Sequence, residues 1–157
     1  ILQVVRTTKT DTFTIASNTF TDVTGLSATI TPSSTSNNIL VIVVLGGVGN
    51  RDSGAIPHTS SFRILRGATA IGVADAAGSR QQANFRVSTG YNADHCHGGH
   101  YTLLDSPSTT SATTYKLQMS SQDSATSYVN RTWNDTDSTS AYQSRASSNI
   151  ILMEISG

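Results

Sequence analysis

Apolar and polar residues alternate with a period of two through most of this chain. Phe13 and Ile15 alternate with Thr12 and Thr14, and Leu26, Ala28 and Ile30 alternate with Ser27, Thr29 and Thr31. The same period returns at Ala83, Phe85 and Val87, and at Tyr115, Leu117 and Met119 against Lys116, Gln118 and Ser120. Successive side chains on a strand point to opposite faces, so the pattern predicts antiparallel strands with one face in a core and the other in water. Three stretches of turn-forming residues, Pro32–Asn38, Gly46–Asn50 and Asp105–Ser108, are expected to separate strands. No segment carries a helical stripe. A spacing of about one strand per ten residues predicts about eight to ten strands, which suits a two-sheet antiparallel sandwich of the jelly-roll kind better than a propeller or solenoid.

Two strands depart from the alternation. Ile39-Leu40-Val41-Ile42-Val43-Val44-Leu45 and Ile150-Ile151-Leu152-Met153-Glu154-Ile155 are apolar on both faces. In a sandwich the outer face of a strand is wet unless another body covers it. Two explanations stand at this point: neighbouring subunits cover the second face, or these are central strands beneath long loops.

Composition narrows the functional classes. The 157 residues are expected to form one domain, 1–157, and a chain of this size buries roughly 68–70% of its unfolded surface. Charged residues make up 13%, against about 25% in an average soluble domain, so Ser and Thr carry the wetting of the surface. With a formal net charge of zero no basic field exists to condense on phosphate or anionic lipid, which argues against nucleic acid and membrane as partners. The longest apolar run, Ile39 to Leu45, is far short of the roughly 20 residues that span a bilayer. Cys96 is the single cysteine, which excludes an intrachain disulfide. The chain opens on Ile1 without a leader pattern, and is expected to be the C-terminal part of a longer polypeptide.

The densest cluster of functional side chains is Asp94-His95-Cys96-His97-Gly98-Gly99-His100. On a strand His95 and His97 would share a face, and three such pairs around a threefold axis would offer six imidazole nitrogens to one octahedral transition metal. The competing reading is a polar loop with glycines at its turn. A zinc site within one chain from His95, Cys96, His97 and His100 lacks the usual ligand spacing. For catalysis the chain has no Gly-x-Ser-x-Gly elbow, no His-Glu-x-x-His helix and no phosphate-cradling glycine loop. Serines are too abundant for one beside His58 or His100 to mark a nucleophile, and Asp135 with Asp137 defines no glycosidase geometry. No catalytic residue is assigned, and no enzyme is expected.

A second region runs from Tyr128 through Asn130, Arg131, Trp133, Asn134 and Asp135 to Tyr142. Aromatic rings beside amides and carboxylates suit a sugar, whose apolar face stacks while its hydroxyls are bonded. Tyr91, Tyr128, Asn130, Trp133, Asn134 and Asp135 are therefore the receptor-binding candidates, and the competing reading is that Trp133 is a core residue of its strand. Asn130-Arg131-Thr132 and Asn134-Asp135-Thr136 also read as glycosylation sequons.

Leu2-Gln3-Val4-Val5, Thr10-Asp11-Thr12-Phe13, Phe20-Thr21-Asp22-Val23-Thr24-Gly25-Leu26-Ser27 and Ile30-Thr31-Pro32 form a familiar string, continued by Ile39-Leu40-Val41, Phe62-Arg63-Ile64-Leu65-Arg66-Gly67, Ile71-Gly72-Val73, Asp105-Ser106-Pro107, Thr113-Thr114-Tyr115-Lys116-Leu117-Gln118 and Ile151-Leu152-Met153-Glu154-Ile155. Covering both ends and most of the middle, these motifs resemble the C-terminal β domain of tail-fibre-like and other virion structural proteins, a family common in aquatic phages. The resemblance implies a β-sandwich of tumour-necrosis-factor-like outline, a homotrimer, other virion proteins as partners and a place on the extracellular particle; no cofactor is expected apart from a transition metal on the threefold axis. The matching motifs are strands and turns and transfer no functional residue. The stretches 50–59, 91–100 and 124–142 depart from the family, and loops that diverge on a rigid scaffold are where attachment to a bacterial surface glycan is expected. A pure cement protein of the virion, and a secreted bacterial lectin-like or filament sandwich, are the alternatives.

Overall fold

A computed structural model describes residues 1–51, 58–89 and 94–157, with Ser124 by its backbone only. The strands are β1 (Gln3–Lys9), β2 (Phe13–Ile15), β3 (Thr21–Ile30), β4 (Asn38–Asn50), β5 (Thr59–Arg66), β6 (Thr69–Ile71), β7 (Phe85–Ser88), β8 (His97–Asp105), β9 (Thr113–Ser121), β10 (Ser127–Val129) and β11 (Ser148–Ile155). Two 3-10 turns, Gln122–Ser124 and Ala141–Gln143, are the helical elements among the described residues. No described helix is long and apolar enough to cross a membrane.

The strands form two antiparallel sheets. Sheet A runs β1-β11-β4, with β8 on the far edge of β4 and β10-β2 continuing beside its C-terminal end; sheet B runs β3-β9-β5, with β6 and β7 sharing the outer edge of β5. The pairing is nested: β1 with β11, β2 with β10, β3 with β9, β4 with β8 and β5 with β7. First pairs with last and second with penultimate, as in a long hairpin rolled into a barrel, and this is the connectivity of a jelly roll. The expected sandwich is therefore present. The three short strands β2, β6 and β10 bring the total above the expected range.

The inward face of each strand supplies the core. Ile39, Val41, Val43 and Leu45 of β4 meet Ile150 and Leu152 of β11 beside them, and Leu26, Ile30, Phe62, Ile64, Tyr115, Leu117 and Met119 of sheet B; all are 2% exposed or less. Each such side chain contributes about 1.5–3 kcal/mol on burial. At one end of the sandwich sits a carboxylate: Glu154 is 1% exposed and accepts from Gln3 Nε2 (2.7 Å), Ser33 N (2.7 Å), Ser33 Oγ (2.8 Å) and Asn37 Nδ2 (2.6 Å). These donors tie β1, β11 and the 31–37 turn into one corner.

Gly46–Asn50 does not end a strand. β4 continues to Asn50 with a register shift against β8 between Leu45 and Val48. The glycines mark close approach instead of a turn: a Cβ on Gly47 would collide with Cys96 Sγ. The pair Gly98 and Gly99 likewise belongs to β8, where a Cβ on Gly99 would lie 2.6 Å from Val87 Cγ2.

Folding brings the Glu154 carboxyl down from an ordinary 4.5 to about 2, chiefly through the Asn37 and Gln3 bonds. A group whose pKa falls on folding stabilises in full above its unfolded value and loses that contribution as pH drops through the folded one. Thermal melting should therefore weaken as pH falls from 4.5 toward about 2. Glu154→Gln should melt lower at neutral pH and show a shallower slope in this window, the residual slope coming from Asp11 and Asp22, whose pKa values are lowered by Lys9 and Lys116. An unchanged slope would contradict the role given to this corner.

Candidate functional site

The two outer faces of the sandwich differ in chemistry. On sheet B the outward positions of β3, β9, β5 and β7 include Ser27, Thr29, Thr114, Lys116, Gln118, Ser120, Ser61, Arg63, Arg86 and Ser88. These polar groups bond one another: Lys116 to Asp22 at 2.7 Å, Gln118 to Asp22 at 2.7 Å, Arg63 Nε to Gln118 at 2.8 Å, and Thr29 with Thr114 at 2.7 Å. Arg63 also lies 4.2 Å over the Phe20 ring.

Sheet A presents the opposite. Its outward register places Val4 beside Met153, Met153 beside Leu40 and Leu40 beside Leu104, an apolar row across all four strands. The next row is Arg6, Ile151, Ile42 and Thr102, and the next is Thr8, Asn149, Val44 and His100. Arg6 is the one charged side chain in these three rows. Leu2, Val4 and Leu104 are 55%, 55% and 59% exposed. The doubly apolar strands are thus central, but no loop among the described residues removes this face from water.

The proposed sugar platform is largely spent on itself. Tyr128 is buried beneath the Arg131 guanidinium at 4.2 Å. Asn130 is fully buried in a left-handed conformation (φ 67°), donating to the carbonyls of Lys9 and Asp11 and accepting from Ser148 Oγ at 2.6 Å. It is a scaffold residue, and its sequon is inaccessible in the folded chain. Asp135 is paired with Arg131 at 3.3 Å and Arg145 at 2.7 Å, Asn134 donates to Asp94, and half-buried Trp133 has Arg51 at 5.9 Å. Tyr91 lies outside the described residues.

His95 and His97 do come together, with ring centroids 6.0 Å apart and planes tilted by 37°. His97 opens β8 while His95 precedes the strand. They border a pocket of about 350 Å³ with Tyr142 and Arg145. Among the described residues no three His, Cys, Asp or Glu side chains converge on a common point. Cys96 lies in the same pocket lining, with its Sγ directed toward Gly47 and the Arg131 carbonyl, and burial pushes its thiol up to about 11, which leaves it protonated and unreactive at neutral pH.

A feature that sequence patterning misses is a groove of about 820 Å³ at the β7 end of sheet B, bordered by Arg80, Gln81, Phe85, Arg86, Gln122 and Asp123. Its walls come from the β2–β3 loop, the 74–84 loop, the 3-10 turn after β9 and strands β5, β7 and β9, and the contributing side chains form no local motif. The 74–84 loop is held over β9 by Gln81, which donates to the Asn18 carbonyl and accepts from Ser120 Oγ, and is closed on itself by Gln82, which donates to the Ala74 carbonyl at 2.8 Å.

Pairing and faces together define an all-β jelly-roll sandwich with one wet and one apolar outer sheet. No protein-family model matches the chain, and no curated protein matches it in sequence. Among solved structures, a chain of "Structure of infectious bursal disease virus Gx strain" is similar with a TM-score of 0.36 and 12% identity, covering 99% of this chain and 38% of that chain. The present chain thus spans well under half the length of that neighbour, and the fold rests on the strand pairing above.

Gly47→Ala should destabilise the fold by about 1–3 kcal/mol through its collision with Cys96 Sγ. Combined with Cys96→Ala, which removes that sulfur and leaves Cys96 Cβ at 3.8 Å, it should cost much less than the sum of the two single changes. Urea midpoints of the four proteins measure the coupling, and additive effects would place the strain elsewhere.

Proposed function

We propose that this domain is a non-enzymatic structural part of a phage particle, on a tail fibre or as a capsid decoration. It joins copies of itself into a trimer and presents its loops to a bacterial surface glycan. The observation that carries the assembly half is the apolar row Val4, Met153, Leu40 and Leu104 on the outer face of sheet A. Apolar side chains left in water cost free energy in proportion to their area, and a second copy offering the same nearly uncharged surface removes that cost without any need for complementary charge. The virion assignment is supported by the strand and turn motifs that resemble phage structural proteins. The bonded state of Arg131, Asn134 and Asp135 favours, for that face alone, the runner-up in which those loops contact only other virion proteins.

The test is native mass. The wild-type domain should run as a trimer, and Leu104→Asp, placed at a 59% exposed position where a lone domain tolerates it, should shift the mass to one chain with its melting curve little changed. Each copy loses the burial of one leucine, about 1.5–3 kcal/mol. A wild-type monomer at all concentrations overturns the assembly reading. Dissociation of the wild type by a chelator would assign His95 and His97 as metal ligands between copies.

A further inference from the structure

The groove on sheet B lies on the side of the molecule away from the apolar face, so it stays open when that face is covered. Two of its lining cations are uncompensated. Lys9, Arg66, Lys116, Arg131 and Arg145 each have a carboxylate partner, whereas Arg6, Arg51, Arg63, Arg80 and Arg86 have none among the described residues, and of these Arg80 and Arg86 line the groove. Arg86 makes no hydrogen bond or ion pair among the described residues, and Arg80 bonds only the Ala77 carbonyl, at 3.1 Å. In a chain of zero net charge, that is a local surplus facing a cavity. On the same rim Asp123 is exposed, held in a left-handed conformation (φ 49°), and among the described residues its carboxylate has only Gln122 Nε2, at 3.4 Å. The groove is built before any ligand arrives: Gln81 and Gln82 pin its loop, and Asn84 bonds the Ile64 amide and the Ile71 and Gly72 carbonyls. Phe85 in its lining is already engaged by Phe62 (4.9 Å, 11°) and Tyr101 (6.0 Å, 7°). The ring is therefore not a free stacking platform, and the remaining apolar lining, Ala74 and Ala83, makes no anchor pocket for a protein side chain.

We infer that this groove binds an acidic saccharide, with the sugar carboxylate on Arg86 and Arg80 and ring hydroxyls on Asp123 and Gln122. Guanidinium groups match a carboxylate with paired, charge-assisted bonds, and a carboxylate with an amide beside them accepts and donates to hydroxyls. Zero net charge and the lack of a free stacking ring argue against a nucleic-acid ligand. The inference rests on the attachment half of the proposed function, whose sugar it specifies, and is independent of trimer formation.

The test is calorimetric titration of the wild-type chain with trigalacturonate and with 3′-sialyllactose, each beside its neutral counterpart, the methyl ester and lactose. One or both acids should bind at least about tenfold more tightly than the neutral form, and Arg86→Gln should weaken that binding by at least about tenfold. Trp133→Phe should leave it unchanged, and the melting curve of Arg86→Gln should match wild type because Arg86 holds nothing in the fold. Equal binding of acid and neutral forms, or an Arg86→Gln variant that binds like wild type, overturns the groove assignment. Binding of neutral sugar lost only in Trp133→Phe overturns the groove while leaving attachment in place. No binding of any of the four sugars, together with no binding across a bacterial glycan array, overturns both.

Discussion

Strand β4 has to be apolar on both sides, and much of the molecule follows from that. Its inward residues Ile39, Val41, Val43 and Leu45 are 2% exposed or less and form the middle of the core, while Leu40, Ile42 and Val44 point outward between β11 and β8. A strand delivers side chains to its two faces in strict alternation, so the sandwich core accounts for only half of the apolar residues in this strand. The hydrophobic effect is indifferent to which body provides the cover. The outward half is an unsatisfied surface of the isolated domain, and it is continued by Val4, Met153 and Leu104 on three other strands.

Sheet B has no such debt of exposed apolar area. Its outer face carries hydroxyls, amides and a chain of bonds from Lys116 through Asp22 and Gln118 to Arg63, all of which are hydrated or paired in the single copy. Two polar side chains that enter the interior are bonded corners: Glu154 with its four donors, and Asn130, which links the end of β1 to β11 through Ser148. Such corners fix how the roll closes because a buried polar group left without partners is costly. The two sheets thus present unlike outer faces, one apolar and one polar, with the 820 Å³ groove at the β7 end of the polar one.

Much of the sheet architecture is legible from the period-two pattern, which places β3 and β9 and marks β4 and β11 as unusual. The glycines are where that reading fails. Gly46, Gly47 and Gly49 look like a turn, but glycine serves equally where another chain segment passes close by, and sequence alone does not separate the two meanings. The close approaches of Gly46 to the Ser147 carbonyl, Gly47 to Cys96 Sγ and Gly49 to the Arg131 carbonyl do so. The same holds for the sugar platform: Tyr128 and Asn130 have the right chemistry, and their burial removes them from any ligand. The groove was illegible for a different reason. Its residues run from Asn18 to Asp123, and only the fold of the 74–84 loop over β9 gathers them.

The central claim is that the outer face of sheet A is covered in the assembled protein. The most direct measurement is the effect of a soluble paramagnetic agent on side-chain methyl resonances at high protein concentration. The account predicts that the methyls of Val4, Leu40, Met153 and Leu104 are shielded to nearly the same degree as those of Val41 and Leu152 in the core. Methyls of Val4 and Leu104 that relax as freely as their 55% and 59% exposure in a single chain would allow would contradict it.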